Sequence, residues 1–342
     1  MKRGPGLFLT LLFLGLSSCG IPSNPVTPPE VLVAGESGAS AGGATAYSLP
    51  FSGSPAALSS LSIPSGETIW GSADVDNDLV FLVRSGSQGL FQIAPLPLSS
   101  AAPFVTVNLP AGDTPWALAT VTPQVLVVLM TTPADPGGCL ALIDANTLVQ
   151  MTGGGAITPS SCQPISGQTA SLTGGFLLPL ADGVMFLAGI VTGSGPSATT
   201  TLLLLPQSNV LSGGPLAPQS TWTLPVSYSG GSPLAGAALP EAVLLPDPAS
   251  AAVDIYSITA LYDSGGGTLS PLSRTRLSLT APPTLLAVDP ASNFMVAGSD
   301  QTISLFGLDA ILNTGGTLGT IGSLGSLPGE SVETLTIYTG SS

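Results

Sequence analysis

Short apolar runs of four to seven residues, separated by turn residues, recur along the chain from about residue 31 onward. The clearest unit is 284–310, in which three runs are separated by turns at 289–293 and 298–300, and the third run extends over 302–308. Three short strands joined by tight turns form an antiparallel meander. Helical periodicity and helix-capping chemistry are nearly absent after residue 30, so the pattern predicts an all-β fold.

Two short motifs recur at a regular distance. A Gly-acid-Thr-x-Trp string occupies 66–70 and 112–116, 46 residues apart, and an apolar run follows nine residues after each Trp. An Asp-Pro-Ala-Ser string occupies 247–250 and 289–292, 42 residues apart, and we interpret these two segments as equivalent copies. A period of 40 to 50 residues with three or four short strands is typical of β-propeller blades.

The length of the chain sets the number of blades. The part from residue 31 to 342 accommodates six or seven units of this period, with Gly-, Ser- and Pro-rich inserts between about 130 and 240. The apolar segments 31–34 and 332–338 predict strands that share one closing blade, which would leave no exposed sheet edge.

The composition agrees with short strands and many turns, and it limits the partners. Charged residues make up only 7% of the chain, whereas Gly (43) and Pro (33) are abundant and lie between the apolar runs. Five basic and nineteen acidic residues, with no histidine, give a net charge of −14. Such a chain repels polyanions, so nucleic acid is not expected as a partner.

The amino terminus has the pattern of an export signal. Lys2 and Arg3 precede an apolar run over 7–16, which is shorter than the roughly 20 residues that a membrane-spanning helix needs. The run ends in Leu16-Ser17-Ser18-Cys19. Small residues directly before a cysteine resemble the lipobox of bacterial lipoproteins, although an ordinary secretory signal that contains a cysteine is the alternative.

The lipoprotein resemblance implies a division of the chain. Residues 1–18 would be a signal peptide, and Cys19 would carry a diacylglyceryl group on sulfur and a fatty acyl chain such as palmitate on its amine. Residues 19–30 would be a Pro-rich tether, and 31–342 the β-propeller domain. Two or three acyl chains anchor a protein essentially permanently in a lipid bilayer. Because Gly20 rather than aspartate follows the cysteine, the family's sorting rule implies the outer membrane if the host is Gram-negative.

The domain also resembles the lactonase-like, YVTN-type propellers. The likeness lies in 287–290 (AVDP), 294–297 (FMVA) and 302–306 (TISLF), and 115–117 (PWA) is similar to the start of that family's innermost strand. Enzymes of this family use acidic residues with histidine or arginine. The chain has no histidine, which removes the commonest general base, and it has no Gly-rich nucleotide loop.

The repeated Trp motif supplies candidate ligand-binding residues, namely Glu67, Trp70, Asp113 and Trp116. Residues that start the innermost strands of a propeller lie at the mouth of its central channel. Trp offers an apolar face and carboxylates accept hydrogen bonds, so a sugar, a cation or a peptide would suit this group. The alternative is that each Trp packs between blades and each acid is a solvated turn residue.

Three carboxylates at alternate positions, Asp74, Asp76 and Asp78, form a candidate Ca²⁺ site. The string lacks the glycine and the distal glutamate of an EF-hand loop. Its alternative is an ordinary turn between strands, where Asp and Asn are favoured.

Cys139 and Cys162 remain as a pair if Cys19 is acylated, and an even count in an exported chain predicts a disulfide. The bond would contribute about 3 kcal/mol by chain entropy. It would join the first and last strands of one blade or hold the loop around residue 150. Two buried thiols are the alternative, and a metal role is not expected without histidine.

These observations predict a lipid-anchored protein of the cell envelope whose propeller is a binding or scaffolding module, with an envelope protein or a glycan as its partner. One alternative is a lactonase- or glycan-type hydrolase or lyase that uses carboxylates in the channel. The other is a structural envelope protein without a ligand. Catalysis is the less expected role, because no acid–base pair is evident.

Overall fold

A computed structural model provides the three-dimensional description of the chain. It describes residues 30–37, 44–49, 56–61, 68–75, 78–85, 88–95, 104–151, 153–194, 197–213, 216–224, 236–289, 293–326 and 330–338. For 30–61 the description covers the backbone alone. The predicted signal peptide with Cys19, most of the tether, Glu67 and Asp76 lie outside the described residues.

The described chain consists of 27 strands and four short helices. The strands are β1 (Glu30–Ser37), β2 (Ala44–Leu49), β3 (Ala56–Leu61), β4 (Thr68–Val75), β5 (Asp78–Ser85), β6 (Gln88–Pro95), β7 (Val105–Val107), β8 (Thr114–Thr122), β9 (Val125–Thr131), β10 (Cys139–Asp144), β11 (Gly155–Ile157), β12 (Gln163–Pro164), β13 (Leu172–Pro179), β14 (Met185–Thr192), β15 (Thr199–Pro206), β16 (Ser220–Thr223), β17 (Ala237–Ala238), β18 (Ala242–Asp247), β19 (Ala252–Ser257), β20 (Gly267–Thr268), β21 (Ser273–Leu277), β22 (Leu285–Asp289), β23 (Phe294–Ser299), β24 (Thr302–Gly307), β25 (Thr317–Leu318), β26 (Gly322–Ser326) and β27 (Glu330–Tyr338). The helices are α1 (Ala145–Gln150), α2 (Gln207–Ser212), α3 (Ile258–Asp263) and α4 (Leu308–Thr314).

These strands form six sheets of four or five strands. From the innermost strand outward they are blade 1 (β27-β1-β2-β3), blade 2 (β4-β5-β6-β7), blade 3 (β8-β9-β10-β12), blade 4 (β13-β14-β15-β16), blade 5 (β17-β18-β19-β21) and blade 6 (β22-β23-β24-β26). Five of these are built from consecutive stretches of chain, and blade 1 joins the two ends of the domain. Each innermost strand contacts the next, and β22 contacts β27, so the ring is closed. The predicted all-β propeller is confirmed.

The predicted shared closing blade is also confirmed. β1 pairs antiparallel with β27, and Val31 lies opposite Ile337. A seventh blade is wrong for the described residues, because the stretched region from 114 to 224 forms two long units, blades 3 and 4, rather than three. Each of these units is lengthened by a helix and by a strand or bridge that pairs with the preceding blade.

Four short helices, which the sequence pattern did not predict, each follow the third strand of a blade. The fourth residue of each is fully buried: Leu148, Val210, Leu261 and Ile311. The predicted strand over 302–308 is one residue too long, since β24 ends at Gly307 and α4 begins at Leu308. Six or seven residues are too few to show helical periodicity, and such helices depend on tertiary packing for their stability.

After each helix the chain reaches back to the preceding blade. β11, β20 and β25 pair in parallel with the outer strands β7, β16 and β21. In blade 4 a single parallel bridge between Leu216 and Ile165 takes the same place. The reach-back strands cover outer edges that would otherwise offer unpaired backbone groups.

The two ends of the ring differ. Innermost strands begin at one end, which also carries the turns between second and third strands; we call it the mouth face. The opposite end, the helix face, carries the turns between first and second strands together with α1–α4. The first helical N–H of each helix donates to a carbonyl of that turn, for example Ala145 N to Gln124 O (2.9 Å) and Ile258 N to Glu241 O (3.1 Å).

The core lies between neighbouring blades. Second strands are buried along nearly their whole length, as in β14, β18 and β23. An antiparallel strand usually alternates between buried apolar and exposed polar residues, because one face of its sheet meets water. Here both faces of a blade are covered by its neighbours, which explains the continuous apolar runs in the sequence.

One of the two repeats identified in the sequence is wrong. Asp247 of the first string ends the second strand of blade 5, whereas Asp289 of the other string ends the first strand of blade 6. The two strings therefore begin at opposite faces of the ring. Every turn in the domain favours Asp, Pro, Ser and Asn, so a match of four turn residues does not identify which turn it is.

The predicted disulfide between Cys139 and Cys162 is present, with Cα atoms 5.6 Å apart. It involves the third and outermost strands of blade 3 rather than the first and outermost, and the segment that it closes contains the loop around residue 150. Cys139 begins β10, the third strand of blade 3, and Cys162 directly precedes β12, the outermost strand. The bond therefore fixes a two-residue outer strand that only two backbone pairs hold to β10.

Within the described ranges, no helix is long and apolar enough to cross a membrane.

Candidate functional site

The Trp motif marks a β-bulge at the start of the innermost strand. The pairing of β4 with β5 skips Trp70, and the pairing of β8 with β9 skips Trp116. In β13 the same skip falls on Thr173. A bulge turns the extra side chain away from its normal alternation and is frequent beside binding sites. The innermost strands of blades 2, 3 and 4 therefore each have a β-bulge near the mouth face.

The two bulged Trp residues meet across the boundary between blades 2 and 3. Their ring centroids are 5.4 Å apart with an interplanar angle of 87°, an edge-to-face contact. Trp70 Nε1 donates to Thr68 Oγ1 (2.7 Å) and Trp116 Nε1 donates to Thr131 Oγ1 (3.1 Å). Both side chains are half-buried. The contact between blades is the one expected for packing residues, and it also fixes the ring of Trp70 at the channel.

A cavity of about 230 Å³ lies in the central channel. Residues from the innermost strands of blades 1, 2, 3, 4 and 6, and Gly236 beside β17 of blade 5, line it. Trp70 lies at its wall, next to small residues such as Gly71, Ala73 and Ala117. Small side chains at these positions leave the channel open instead of filling it.

The polar groups of the channel are mainly hydroxyls. Ser72 Oγ lies within hydrogen-bonding distance of Thr334 Oγ1 and of Thr336 Oγ1, the second at 2.5 Å, so blades 1 and 2 are joined there. Thr120 also lines the cavity, and Glu333 is the one carboxylate among its described lining residues. No arginine or lysine is among them. This arrangement can accept and donate hydrogen bonds but offers no acid–base pair.

The predicted acidic partners of the Trp residues are not both placed at the channel. Asp113 directly precedes β8, is 4% exposed, and is not part of the cavity lining. Burial raises the pKa of Asp113 above its usual range. Glu67 lies outside the described residues, so the ligand-binding role of this group stays a prediction.

The candidate calcium residues surround the turn between the first two strands of blade 2. Val75 pairs with Asp78 and is buried, whereas Asp74 is exposed on the other side of β4. Among the described residues no three His, Cys, Asp or Glu side chains converge as a metal site, and Asp76 is not among those residues. Calcium binding therefore remains untested.

A buried ionic cluster, not predicted from the sequence, lies on the face of blade 5 that packs against blade 4. Arg274 makes a two-pronged contact with Asp254, with Nε–Oδ1 2.5 Å and Nη2–Oδ2 2.7 Å, and its Nη2 also lies 3.1 Å from Asp247 Oδ2. Both carboxylates are almost fully buried. The hydrogen bonds to Asp254 raise the pKa of Arg274, and burial, together with the charge of Asp254, raises the pKa of Tyr256.

Two features of the sequence could have indicated this cluster. Arg274 is one of only five basic residues, and Asp254 interrupts an apolar strand in which its neighbours Val253 and Ile255 are buried. A carboxylate inside such a run requires a partner. The two carboxylates are enclosed between blades and the arginine is partly exposed, so we assign the cluster a structural role.

A second cavity, of about 660 Å³, opens on the helix face between blades 5 and 6. Leu239, Leu272 and Leu312 line it together with the carboxylates of Glu241 and Asp309. Asn293 Nδ2 donates to Asp309 Oδ2 (2.8 Å) and orients that carboxylate.

Comparison with known proteins supports the fold. The sequence matches no protein-family profile and no curated protein. A structure of a nidogen/laminin complex is similar, with a TM-score of 0.57 and 11% identity over 90% of this chain and 98% of that one. A Bacteroides caccae protein of unknown function has a TM-score of 0.56 and 8% identity over 92% and 100%. A Bacteroides fragilis protein provisionally assigned as a 6-phosphogluconolactonase has a TM-score of 0.54 and 12% identity over 93% and 99%.

At these identities the similarity shows the propeller fold alone.

Proposed function

We propose that the chain is a cell-envelope lipoprotein, anchored through acylated Cys19, whose propeller binds a small hydroxyl-rich ligand, such as a glycan unit, in the central channel. The observation that carries the binding role is the channel wall itself. There Trp70 lies near the hydroxyls of Ser72 and Thr334 and the carboxylate of Glu333. An aromatic side chain can pack against the apolar face of a sugar ring, and hydroxyls with one carboxylate can bond its hydroxyl groups.

The same wall favours binding over hydrolysis. A glycosidase needs two carboxyl groups at a defined separation. Among the described residues that line the channel, Glu333 is the only one with a carboxylate, and Asp113 is buried outside the channel.

A fluorescence titration tests the binding role. The chain has three Trp residues, and Trp222 is 1% exposed on β16, at the outer edge of blade 4. Neutral mono- and oligosaccharides should change the emission of Trp70 and Trp116. Trp70→Ala should weaken binding about tenfold, since it removes both the buried apolar area of the ring and an aromatic contact of about 0.5–1.5 kcal/mol.

Trp222→Phe is the control, because it replaces an indole that does not line the channel with a smaller ring and should keep wild-type affinity. A panel of envelope saccharides that produces no saturable change would contradict the binding role. Turnover of a lactone or glycoside by the wild-type protein, abolished in Glu333→Gln, would support the hydrolase alternative instead.

The anchor is tested separately. Wild-type protein should partition with membranes and require detergent for release, and the mass of its amino-terminal peptide should include the acyl groups. Cys19→Ser should appear in the soluble fraction. Equal membrane association of both proteins would be evidence against lipidation at Cys19.

A further inference from the structure

The described domain meets its tether at the helix face. Glu30, the first residue of β1, pairs with Tyr338, the last residue of β27. Innermost strands run from the mouth face to the helix face, so the end of β27 and the start of β1 both lie at the helix face. A chain that arrives from Cys19 therefore reaches the propeller on this side.

Exposed apolar side chains gather on the same face. Among the residues whose side chains are described, the large exposed hydrophobics are Val184 (62%), Leu211 (37%), Leu272 (74%) and Ile321 (65%). Val184 lies in the turn between the first and second strands of blade 4, and Leu211 lies on α2. Leu272 and Ile321 each precede an outermost strand, and their N–H groups donate to Ile255 O (2.7 Å) and Leu305 O (2.9 Å), near the ends of third strands.

We propose that the helix face rests on the lipid bilayer and that the mouth face, with Trp70 and Trp116, points away from the membrane. This inference rests on the proposed acylation of Cys19. The acyl chains supply the affinity, and the four apolar side chains orient the domain by entering the interfacial region of the lipid. All four of these side chains lie on the side at which the tether joins the domain, where they can enter the lipid interface.

The reach of the tether supports this orientation. Eleven residue steps separate Cys19 from Glu30 and extend to at most about 40 Å. β27 has nine residues and spans about 30 Å at 3.3 Å per residue. With the mouth face on the membrane, the tether would have to run outward around blade 1 and along its full height, which uses most or all of this length. With the helix face on the membrane it need only bridge a short gap.

Charge specifies the kind of lipid surface. The exposed carboxylates on the described part of the helix face are Asp74, Asp144, Asp182, Glu241, Asp263 and Asp309. They disfavour close approach to anionic lipid. The face therefore suits a zwitterionic surface, and the contact should weaken as the fraction of anionic lipid rises.

Site-specific quenching tests the orientation on the intact, acylated protein. Thr259→Cys places a thiol on α3 at the helix face, and Ala249→Cys places one in the turn of blade 5 at the mouth face; both positions are exposed. With Cys19 acylated and Cys139 bonded to Cys162, a fluorophore reacts only at the introduced thiol. In phosphatidylcholine vesicles that contain a headgroup quencher, quenching at 259 should exceed that at 249 several-fold.

A second variant, with Val184, Leu211, Leu272 and Ile321 all replaced by Ser, should remain membrane-bound through its acyl chains but lose most of the difference between 259 and 249. In the protein that keeps all four apolar side chains, equal quenching at 259 and 249, or stronger quenching at 249, would overturn the proposed orientation. The proposed acylation of Cys19 would be unaffected by that result. Absence of acyl groups on Cys19 by mass spectrometry would instead overturn the proposed anchoring, and the orientation with it.

Discussion

At the scale of single residues, blade 5 depends on charges that its neighbours enclose. Asp254 is fully buried and Asp247 is 1% exposed, and one arginine serves both. Removing one member of a buried pair leaves an uncompensated charge, which costs far more than the pair contributes. Arg274 is thus the side chain on which the packing of blade 5 against blade 4 depends most directly.

Arg274→Met should lower the free energy of unfolding by about 2–3 kcal/mol. Breaking a fully buried pair costs about 3–5 kcal/mol, and the figure is smaller here because the Arg274 side chain is 38% exposed. Urea unfolding followed by circular dichroism measures the loss. Arg276→Met, on the same strand but exposed, is the control and should change stability by less than about 0.5 kcal/mol. Equal stability of both variants would show that the buried carboxylates do not need Arg274.

A second residue-scale contact links blades 4 and 5 through Tyr262, whose hydroxyl donates to Asp182 Oδ2. Burial opposes ionisation of Asp182, but the bonds from Tyr262 and from the N–H groups of Val184 and Met185 outweigh it and lower the pKa of Asp182. A lowered pKa in the folded state gives stability that is present above the ordinary Asp value of about 4 and is lost as the pH falls through the lowered value.

Tyr262→Phe should therefore reduce stability by about 1 kcal/mol at pH 6, and the difference from wild type should shrink below about pH 4. Unfolding midpoints measured from pH 2.5 to 7 for both proteins give this profile. A difference that is constant with pH would mean that the hydroxyl acts by packing rather than by favouring the carboxylate.

At the scale of elements, the four short helices help to attach blades 3 to 6 to the blades that precede them. Each one buries the apolar side chain at its fourth position, and α1 and α4 also bury Ala145 and Leu308. Each helix precedes a strand or bridge that pairs with the previous blade. In α3 this link is reinforced by Trp222, whose Nε1 donates to Ser264 Oγ at 2.8 Å. A helix of six residues has little stability of its own, so its buried residue should account for most of its attachment.

Leu261→Ala should reduce the free energy of unfolding by about 2–4 kcal/mol, because it leaves a cavity among fully buried side chains. Leu211→Ala, in a helix of the same length but at an exposed position, should cost less than about 1 kcal/mol. Chemical denaturation of the two variants makes the comparison. Similar losses would indicate that the helices contribute through their backbone alone.

At the scale of the whole molecule, stability depends on closing the ring. β27 is the only described strand that pairs a carboxy-terminal segment with the amino-terminal strands, and it also contacts β4 and β22. Without it, blade 1 loses its innermost strand and two blades lose a neighbour. An open ring exposes sheet edges and apolar surface together.

Removal of residues 330–342 should therefore abolish cooperative unfolding and increase the binding of hydrophobic dyes. Removal of 339–342 leaves β27 complete and should preserve a single sharp transition. Thermal unfolding by calorimetry, with dye binding at room temperature, distinguishes the two truncations. A cooperative transition in the longer truncation would show that the remaining blades fold without closure.

Part of the fold and of the candidate site could be predicted because it rests on local chemistry. The spacing between Trp70 and Trp116 identified true equivalents, since both copies of the motif form the bulge at the start of an innermost strand. The Asp-Pro-Ala-Ser match failed because its residues report only that a turn is present. Asp254 and Arg274 are 20 residues apart, and the register of β19 against β21 had to be known before they could be paired.

The sequence by itself determined the all-β class, the closing blade, the disulfide pair and the Trp repeat, because period, apolar segments, turn residues and cysteine count can be recognised without knowing which strands become neighbours. Tertiary structure decided which face each turn occupies, which acids are buried, and that the channel of the described domain contains hydroxyls with one carboxylate. These properties depend on six sheets meeting around one axis, and a ring of that kind brings together residues that no local pattern relates.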